Sequence, residues 1–309
     1  MAREPSPTPS SSSDIGFGDM MEEPAGFRPA TPPPTVQSYV RRHFGPDQGM
    51  IGESSVEVGL VSGHPLWGHI LYPAAIALSR FLELHSHQLL KDKKGKGKAV
   101  IELGAGGGLP GLVAALEGAD KVVISDFPDP ALVNNIAKNI ELNVESHRAS
   151  GAAESAAIGF TWGSSPSSMF EKIRDENEPN RKFDLILLSD LVFNHSQHGA
   201  LLDSCEALLA QAPSNSEMNS STTSSLEWQP TVDLSDPALD TPAVLCFFSH
   251  HRPTDALIEA DLGILSMAKS KGWNVKRVWK DDGAGPAFPE DEGDLCIRST
   301  VHGYMFTRL

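Results

Sequence analysis

At 309 residues the chain has room for one large domain or two small ones. Its formal net charge of −15, from 25 basic against 40 acidic residues, argues against nucleic-acid phosphates as the primary partner and favours a basic protein segment or a neutral small molecule. Three separated cysteines (Cys205, Cys246, Cys296) without C-x-x-C spacing, no apolar run near the roughly 18 residues of a membrane span and no signal-peptide pattern together predict a cytosolic protein in a reducing compartment.

Residues 1 to about 35 (REPSPTPSSSS, then RPATPPPT) have too little apolar content to bury and are expected to be a disordered tail. A single domain is expected from residue 36 to 309. TVQSYVRRHF and MIGESSVEVGLV then lead, with no element assigned to them, into SGHPLWGHILYPAAIALSRFLELH. From His69 to His85, Ile70, Leu71, Ala74, Ala75, Leu78, Phe81 and Leu82 fall at helical spacing, which predicts a helix with Pro73 near its start. Trp67, just before it, is placed either to pack or to face a ligand. KDKKGKGK reads as a basic, solvated connector.

VIELGAGGGLPGLVAAL, Val100 to Leu116, is the stretch that organises the rest. A β-branched and apolar run passes through Glu102 into a glycine-rich turn and re-emerges through Pro110 into a helix. Glycines let the backbone take positive φ and approach a ligand, Pro110 suits a first helical turn, and helix-end N–H groups attract negative charge. GGGLPG satisfies the G-x-G-x-x-G dinucleotide pattern, while from Glu102 the same letters read E-x-G-x-G-x-G, the form used by S-adenosylmethionine (SAM) enzymes. The next strand, KVVISD, ends in Asp126, placed to take ribose hydroxyls. Both cofactors need that acid, so it indicates a nucleoside and not which one.

DFPDPALVNNIAKNIELNV predicts a helix capped by Asp129, with Leu132, Ile136, Ile140 and Val144 on its buried face. ESHRASGAAES reads as a loop, AAIGFTW as a short strand ending at Trp162 and Gly163, and FDLILLSD as a strand buried on both faces. It closes on Ser189 and Asp190, at the sheet edge where ligands bind. A helix through HGALLDSCEALLAQ precedes a Ser-rich insertion from Pro213 to Pro242, expected to be disordered. AVLCFFSHHR is a strand, and PTDALIEADLGILSMAKSKG is a helix capped by Thr254 and stopped by Gly272. WNVKRVWK and CIRSTVHGYMFTRL read as two strands with no helix between them, hence antiparallel. The predicted α/β fold is thus Rossmann-like: five parallel strands, a sixth, and a reversed seventh. A dinucleotide dehydrogenase is expected to continue its βα alternation or to add a substrate domain. The terminal hairpin follows the methyltransferase plan, which selects SAM.

From Trp67 to the C-terminus, GHPLWGHILYPAA, ELGAGGGLPGLVAA, ISDFPDP, FTWG and LLSDLVFNH resemble the lysine-methyltransferase branch of the seven-β-strand methyltransferases, methyltransferase family 16. Within it they are most similar to fungal enzymes, once labelled nicotinamide N-methyltransferases, that act on the N-terminal glycine and adjacent lysine of translation elongation factor 1-alpha. The resemblance implies that Gly104, Ala105 and Gly106 lie under the methionine part of SAM and that Asp126 holds the ribose. It places Trp162 beside the adenine, Ser189 in the pocket lining and Trp67 as the closure. Asp190, the catalytic candidate that would orient the amine, opens the family's D-x-x-Y motif. Its fourth residue here is Phe193, so a hydroxyl other members have near the amine is missing.

No nucleophile elbow, P-loop or H-E-x-x-H occurs. His195, His198, His250 and His251 lack zinc-like companions and read as loop or core residues, with His195 near enough to Asp190 to border a substrate channel. Three readings stand: a protein N-methyltransferase acting on elongation factor 1-alpha, a nicotinamide-type small-molecule methyltransferase, and a non-catalytic SAM-binding adaptor. No metal and no membrane partner is expected, and a monomer is the default.

Overall fold

In the computed structural model, which describes residues 34–44, 49–62, 69–211 and 241–308, the chain opens as an antiparallel hairpin. Its strands are β1 (Thr35–Phe44) and β2 (Met50–Leu60), with Tyr39 opposite Val56. The expected N-terminal tail, Trp67 and nearly all of the Ser-rich insertion lie outside the described residues. After the hairpin come α1 (Pro73–Leu84), the one-turn α2 (Ser86–Leu89), β3 (Ala99–Leu103), α3 (Leu109–Leu116), β4 (Lys121–Asp126) and α4 (Pro130–Asn143). A 3₁₀ turn (Glu145–Ser150), β5 (Glu154–Gly159), the one-turn α5 (Ser167–Phe170), β6 (Leu185–Ser189) and α6 (His198–Leu208) follow. The chain ends with β7 (Ala243–Ser249), α7 (Asp255–Ser270), β8 (Trp273–Asp281), the one-turn α8 (Leu295–Arg298) and β9 (Val301–Arg308).

Seven of these strands form one sheet in the order β5-β4-β3-β6-β7-β9-β8, and β9 runs antiparallel to both neighbours. Side-chain alternation divides the core in two. Val100, Val122, Ile124, Leu185, Leu187, Leu245 and Phe247 join α1, α3 and α4 on one face. Ile101, Leu103, Val123, Ile186, Leu188, Val244 and Phe248 join α6 and α7 on the other. With both faces covered, the central strands read as unbroken apolar runs. No helix of the described residues is long and apolar enough to cross a membrane.

Several boundaries depart from the sequence reading. The helix expected from His69 begins at Pro73, because the residue before a proline is driven extended and Tyr72 sits at φ −69°, ψ 143°. The strand expected to reach Trp162 ends at Gly159, where its only neighbour, β4, runs out at Asp126. The ESHRASGAAES loop contains the 3₁₀ turn and the start of β5. The connector at Lys91–Lys98 is an ordered turn in which Asp92 accepts from the N–H groups of Lys94 and Lys96. Between the last two strands lies α8, capped by Asp294; at one turn it is too short to cross the sheet, so the reversal survives.

The hairpin, for which the sequence suggested no element, is held by one face of α4. Asn143 and Asn139 accept the N–H groups of Glu57 and Gly59 at 2.9 Å and donate back to the same residues' carbonyls, and Asn135 donates to Gly59 as well. Asn139 also donates to the carbonyl of Gly107. Asparagines spaced i, i+4, i+8 share one helical face and here tie an edge strand and the glycine loop to α4.

Candidate active site

The sheet grows outward in opposite directions from β3 and β6, the arrangement whose carboxyl edge holds ligands in open α/β folds. A cavity of about 560 Å³ lies there, between the ends of β3, β4 and β6 and the segment following β5. Its floor is the loop after β3. Gly104 and Gly106 adopt φ of +60° and +57°, a region in which a side chain is strained. A Cβ at Gly104 would stand 2.7 Å from Leu191 and 3.2 Å from Trp162; one at Gly107 would stand 2.5 Å from Val58 of the hairpin. The loop is therefore clamped between the hairpin and Trp162. Gly104, Ala105, Gly106, Asp126, Trp162, Ser189 and Asp190 all line this cavity, so the structure gathers every described residue that the sequence singled out for it.

Glu102 has a different position from the loop it introduces. The pleat turns it to the face of Val100, beneath α3, where Gly111 donates its N–H to Oε2 at 2.8 Å. A helix N-terminus expected to attract a ligand anion is thus served in part from within: Pro110 has no N–H and that of Gly111 is taken. Glu102 is fully buried, and burial pushes its pKa up to about 8, with the charge of Asp126 adding and the Gly111 bond opposing. The folded protein keeps a proton there that the unfolded chain releases near 4.5. The associated stability is complete below that value and is lost as pH rises toward 8, at about 1.4 kcal/mol per unit. Glu102→Gln is expected to remove this component. Relative to wild type, its unfolding free energy in urea should improve by about 2–4 kcal/mol between roughly pH 5 and pH 8. A difference that stays constant over that range would contradict the buried neutral acid.

Asp126, at the end of β4, is fixed by two backbone donors, Gly106 N–H to Oδ2 at 2.6 Å and Phe127 N–H to Oδ1 at 2.7 Å. Ser189 ends β6 and Asp190 follows it. Asp190 is the one non-glycine residue with positive φ among the described residues, at +58°, a conformation aspartate tolerates better than most. Its N–H donates to Phe247 and its Oδ1 accepts from Ser249. Oδ2 is buried and meets no hydrogen-bond donor among the described residues. Strain of this kind persists where the surroundings fix it, and it concentrates at functional sites.

Three contributors were not legible as such in the sequence. Tyr72, preceding Pro73, enters the cavity, and burial together with the Asp190 charge pushes its phenol pKa well up. A hydroxyl thus comes from another element than the one that carries Phe193. His251 brings Nε2 to 3.1 Å from Asp190 Oδ1, a contact without hydrogen-bond alignment that becomes an ion pair when the imidazole is protonated. Burial lowers the His251 pKa, but Asp190 outweighs it and the net direction is up. Asp261 on α7 accepts from both His195 and His250 at 2.7 Å. Burial raises Asp261, yet these two bonds hold it below the usual carboxylate range. His198 bonds the Val192 carbonyl. The adjacency of His250 and His251 was the only sequence signal, since their partners are distant in the chain.

A family model described as lysine methyltransferase matches residues 62–224. The protein N-terminal and lysine N-methyltransferase efm7 of Schizosaccharomyces pombe is 34% identical, the match covering 94% of this chain and 95% of that protein. Its namesakes in Cryptococcus neoformans, at 34% identity over 93% of this chain and 84% of that protein, and Gibberella zeae, at 30% over 94% of each, match similarly.

Proposed function

The chain belongs to the lysine methyltransferase family, and from that premise we propose that it transfers a methyl group from SAM to amines of a protein. The acceptor positions proposed are the N-terminal glycine and the adjacent lysine of translation elongation factor 1-alpha. The observation that carries this reading is Asp190, held at positive φ on the lip of the cavity with one carboxylate oxygen buried and unmatched.

The residues present fit SAM. The positive-φ glycines leave the loop backbone bare where a Cβ would clash, and Asp126 offers a fixed carboxylate. We assign Gly104, Ala105 and Gly106 to the methionine portion, Asp126 to the ribose, Trp162 to the border of the adenine and Ser189 to the pocket lining. The role of Trp67 as closure stays a proposal from resemblance, since it lies outside the described residues. When bound, SAM supplies an electrophilic methyl group on a sulfonium sulfur.

The protein's part is positioning and proton management. An α-amine, whose unperturbed pKa is about 7.7 to 8.0, is partly neutral near pH 7, whereas lysine, near 10.4, must first lose its proton. Asp190, in the cavity wall, is placed to stabilise the amine's positive charge through its own negative charge in a site of low dielectric. Glycine loop, carboxylate and cavity wall are all anchored by backbone hydrogen bonds, so orientation is set before the acceptor arrives. The acidic balance of the chain, −15 overall, favours a basic peptide over an anionic acceptor.

The test is incubation of the purified full chain with isotopically labelled SAM and two acceptors, elongation factor 1-alpha with a free N-terminus and nicotinamide. Mass spectrometry of the N-terminal peptide is expected to show added methyl groups on the terminal glycine or neighbouring lysine. Label in nicotinamide alone would replace this reading by the small-molecule one. SAM binding without transfer to either would replace it by the adaptor.

A further inference from the structure

Beside the cofactor cavity lies a second one of about 520 Å³, and Tyr72 and Phe193 line both. The second cavity carries His251, Phe288, Asp261 and Asp291. Its aromatic rings surround the imidazole: His251 lies 5.7 Å from Tyr72, 6.3 Å from Phe193 and 5.4 Å from Phe288, centroid to centroid. Aromatic rings and two carboxylates in one lining suit a cation, and they do not suit a phosphate or another anion. Asp261 is already shared by His195 and His250, and Arg252 stands 3.9 Å from Asp291 at the exposed rim. The charge is thus partly compensated, and the cavity selects for an aromatic-lined passage as much as for charge.

His251 stands at the junction. It belongs to the wall of the second cavity, while Asp190, 3.1 Å away, belongs to the wall of the first. It is one of the basic groups within reach of the place where an amine would meet the cofactor cavity. Resting on the methyltransferase reading above, we propose that the second cavity is the acceptor subsite, admitting a cationic peptide end between Tyr72 and Phe193, and that His251 takes the proton of its ammonium.

In that step one N–H bond of the ammonium breaks and its electron pair stays on nitrogen as the lone pair that will form the new C–N bond. The proton binds the imidazole nitrogen not directed at Asp190. Asp190 then stabilises the imidazolium across the 3.1 Å contact, and the proton leaves to solvent through the second cavity. A carboxylate alone, with an unperturbed pKa near 4, is a poor proton acceptor from an ammonium, whereas an imidazole near neutrality is matched to the task. The charged and titratable groups facing His251 are Asp190 just after β6, Asp261 from α7, Arg298 from α8 and the Tyr72 phenol ahead of α1. Two carboxylates oppose one guanidinium, so the surroundings strengthen the imidazole as a base, and it is neutral and able to accept a proton only above its own raised pKa.

The experiment uses the full chain and a synthetic peptide beginning Gly-Lys, with methyl transfer followed as a function of pH and SAM affinity measured by calorimetry. His251→Gln is expected to lose about 100-fold in kcat near neutral pH with SAM affinity unchanged. Its deficit should shrink as pH rises and the amine becomes neutral unaided, whereas a merely structural role would leave the deficit constant. Phe288→Ala, which opens the second cavity without touching Asp190, is expected to raise the peptide KM about tenfold and leave SAM affinity unchanged. A wild-type pH profile in His251→Gln, or an unchanged peptide KM in Phe288→Ala, overturns the proposal. Wild-type protein that methylates no peptide amine overturns the protein-acceptor reading above, and this inference with it.

Discussion

Replacing Asp190 by asparagine is expected to lower kcat for the protein acceptor by about 10²-fold or more while leaving the Kd for SAM within about twofold. Asparagine is the informative substitution because it tolerates the left-handed conformation at φ +58°, whereas alanine adds backbone strain of about 1 kcal/mol. What changes is the charge. Oδ2 is buried without a partner, in a setting where one charge-assisted hydrogen bond contributes about twice a neutral one. The same substitution removes the counter-charge of His251, so both orientation and proton transfer suffer together. Single-turnover kinetics beside calorimetric SAM binding will separate the effects. If kcat held while SAM affinity collapsed, Asp190 would be a scaffold for the cofactor cavity and no part of the acceptor chemistry.

The second large effect is expected on binding. Asp126→Ala should raise the Kd for SAM by about 30- to 100-fold, the equivalent of losing roughly 2–3 kcal/mol of charge-assisted hydrogen bonding. Two losses combine. The carboxylate that faces the ribose position disappears, and the Gly106 N–H that it fixes at 2.6 Å loses its partner, releasing the loop that forms the floor. Isothermal calorimetry on the folded variant is the direct measurement. Equal affinity in variant and wild type would remove the basis for placing the nucleoside at the end of β4.

How much of this was legible in the sequence depends on how far apart in the chain the causes lie. The central strands could be read because burial on both faces leaves a continuous apolar run, as in LILLS of β6 and AVLCFFS of β7. The caps could be read because they are local: Asp129 accepts from Ala131 two residues on, and Thr254 from Leu257 three residues on. The glycine loop was legible because positive φ leaves a compositional mark, and Asp126 because the interval from loop to second strand is nearly fixed in a βαβ unit.

The hairpin was illegible for the opposite reason. β1 and β2 are half polar and exposed along much of their length; they are held by Tyr39, Val56, Val58 and Leu60 in the core and by hydrogen bonds from the β2 backbone to Asn135, Asn139 and Asn143, far along the chain. Asparagine is a poor helix residue and its spacing reads as noise until the strand it grips is in place. The end of β5 could not be read either, since FTW continues an apolar pattern while the partner strand that would extend the ladder has already ended at Asp126.

The site divides along the same line. By itself the sequence determined the sheet and its reversed last strand, the glycine loop, and the acids at the ends of β4 and β6, because each is written in neighbouring residues. The tertiary structure alone decided that Glu102 turns under α3 to be held neutral rather than toward a ligand. It alone brought Tyr72 into the cavities that Phe193 lines, and set His251 against Asp190 between them. The physical reason is that a side chain's chemistry is set by the charges and burial around it, and those neighbours come from segments that only the folded sheet makes adjacent.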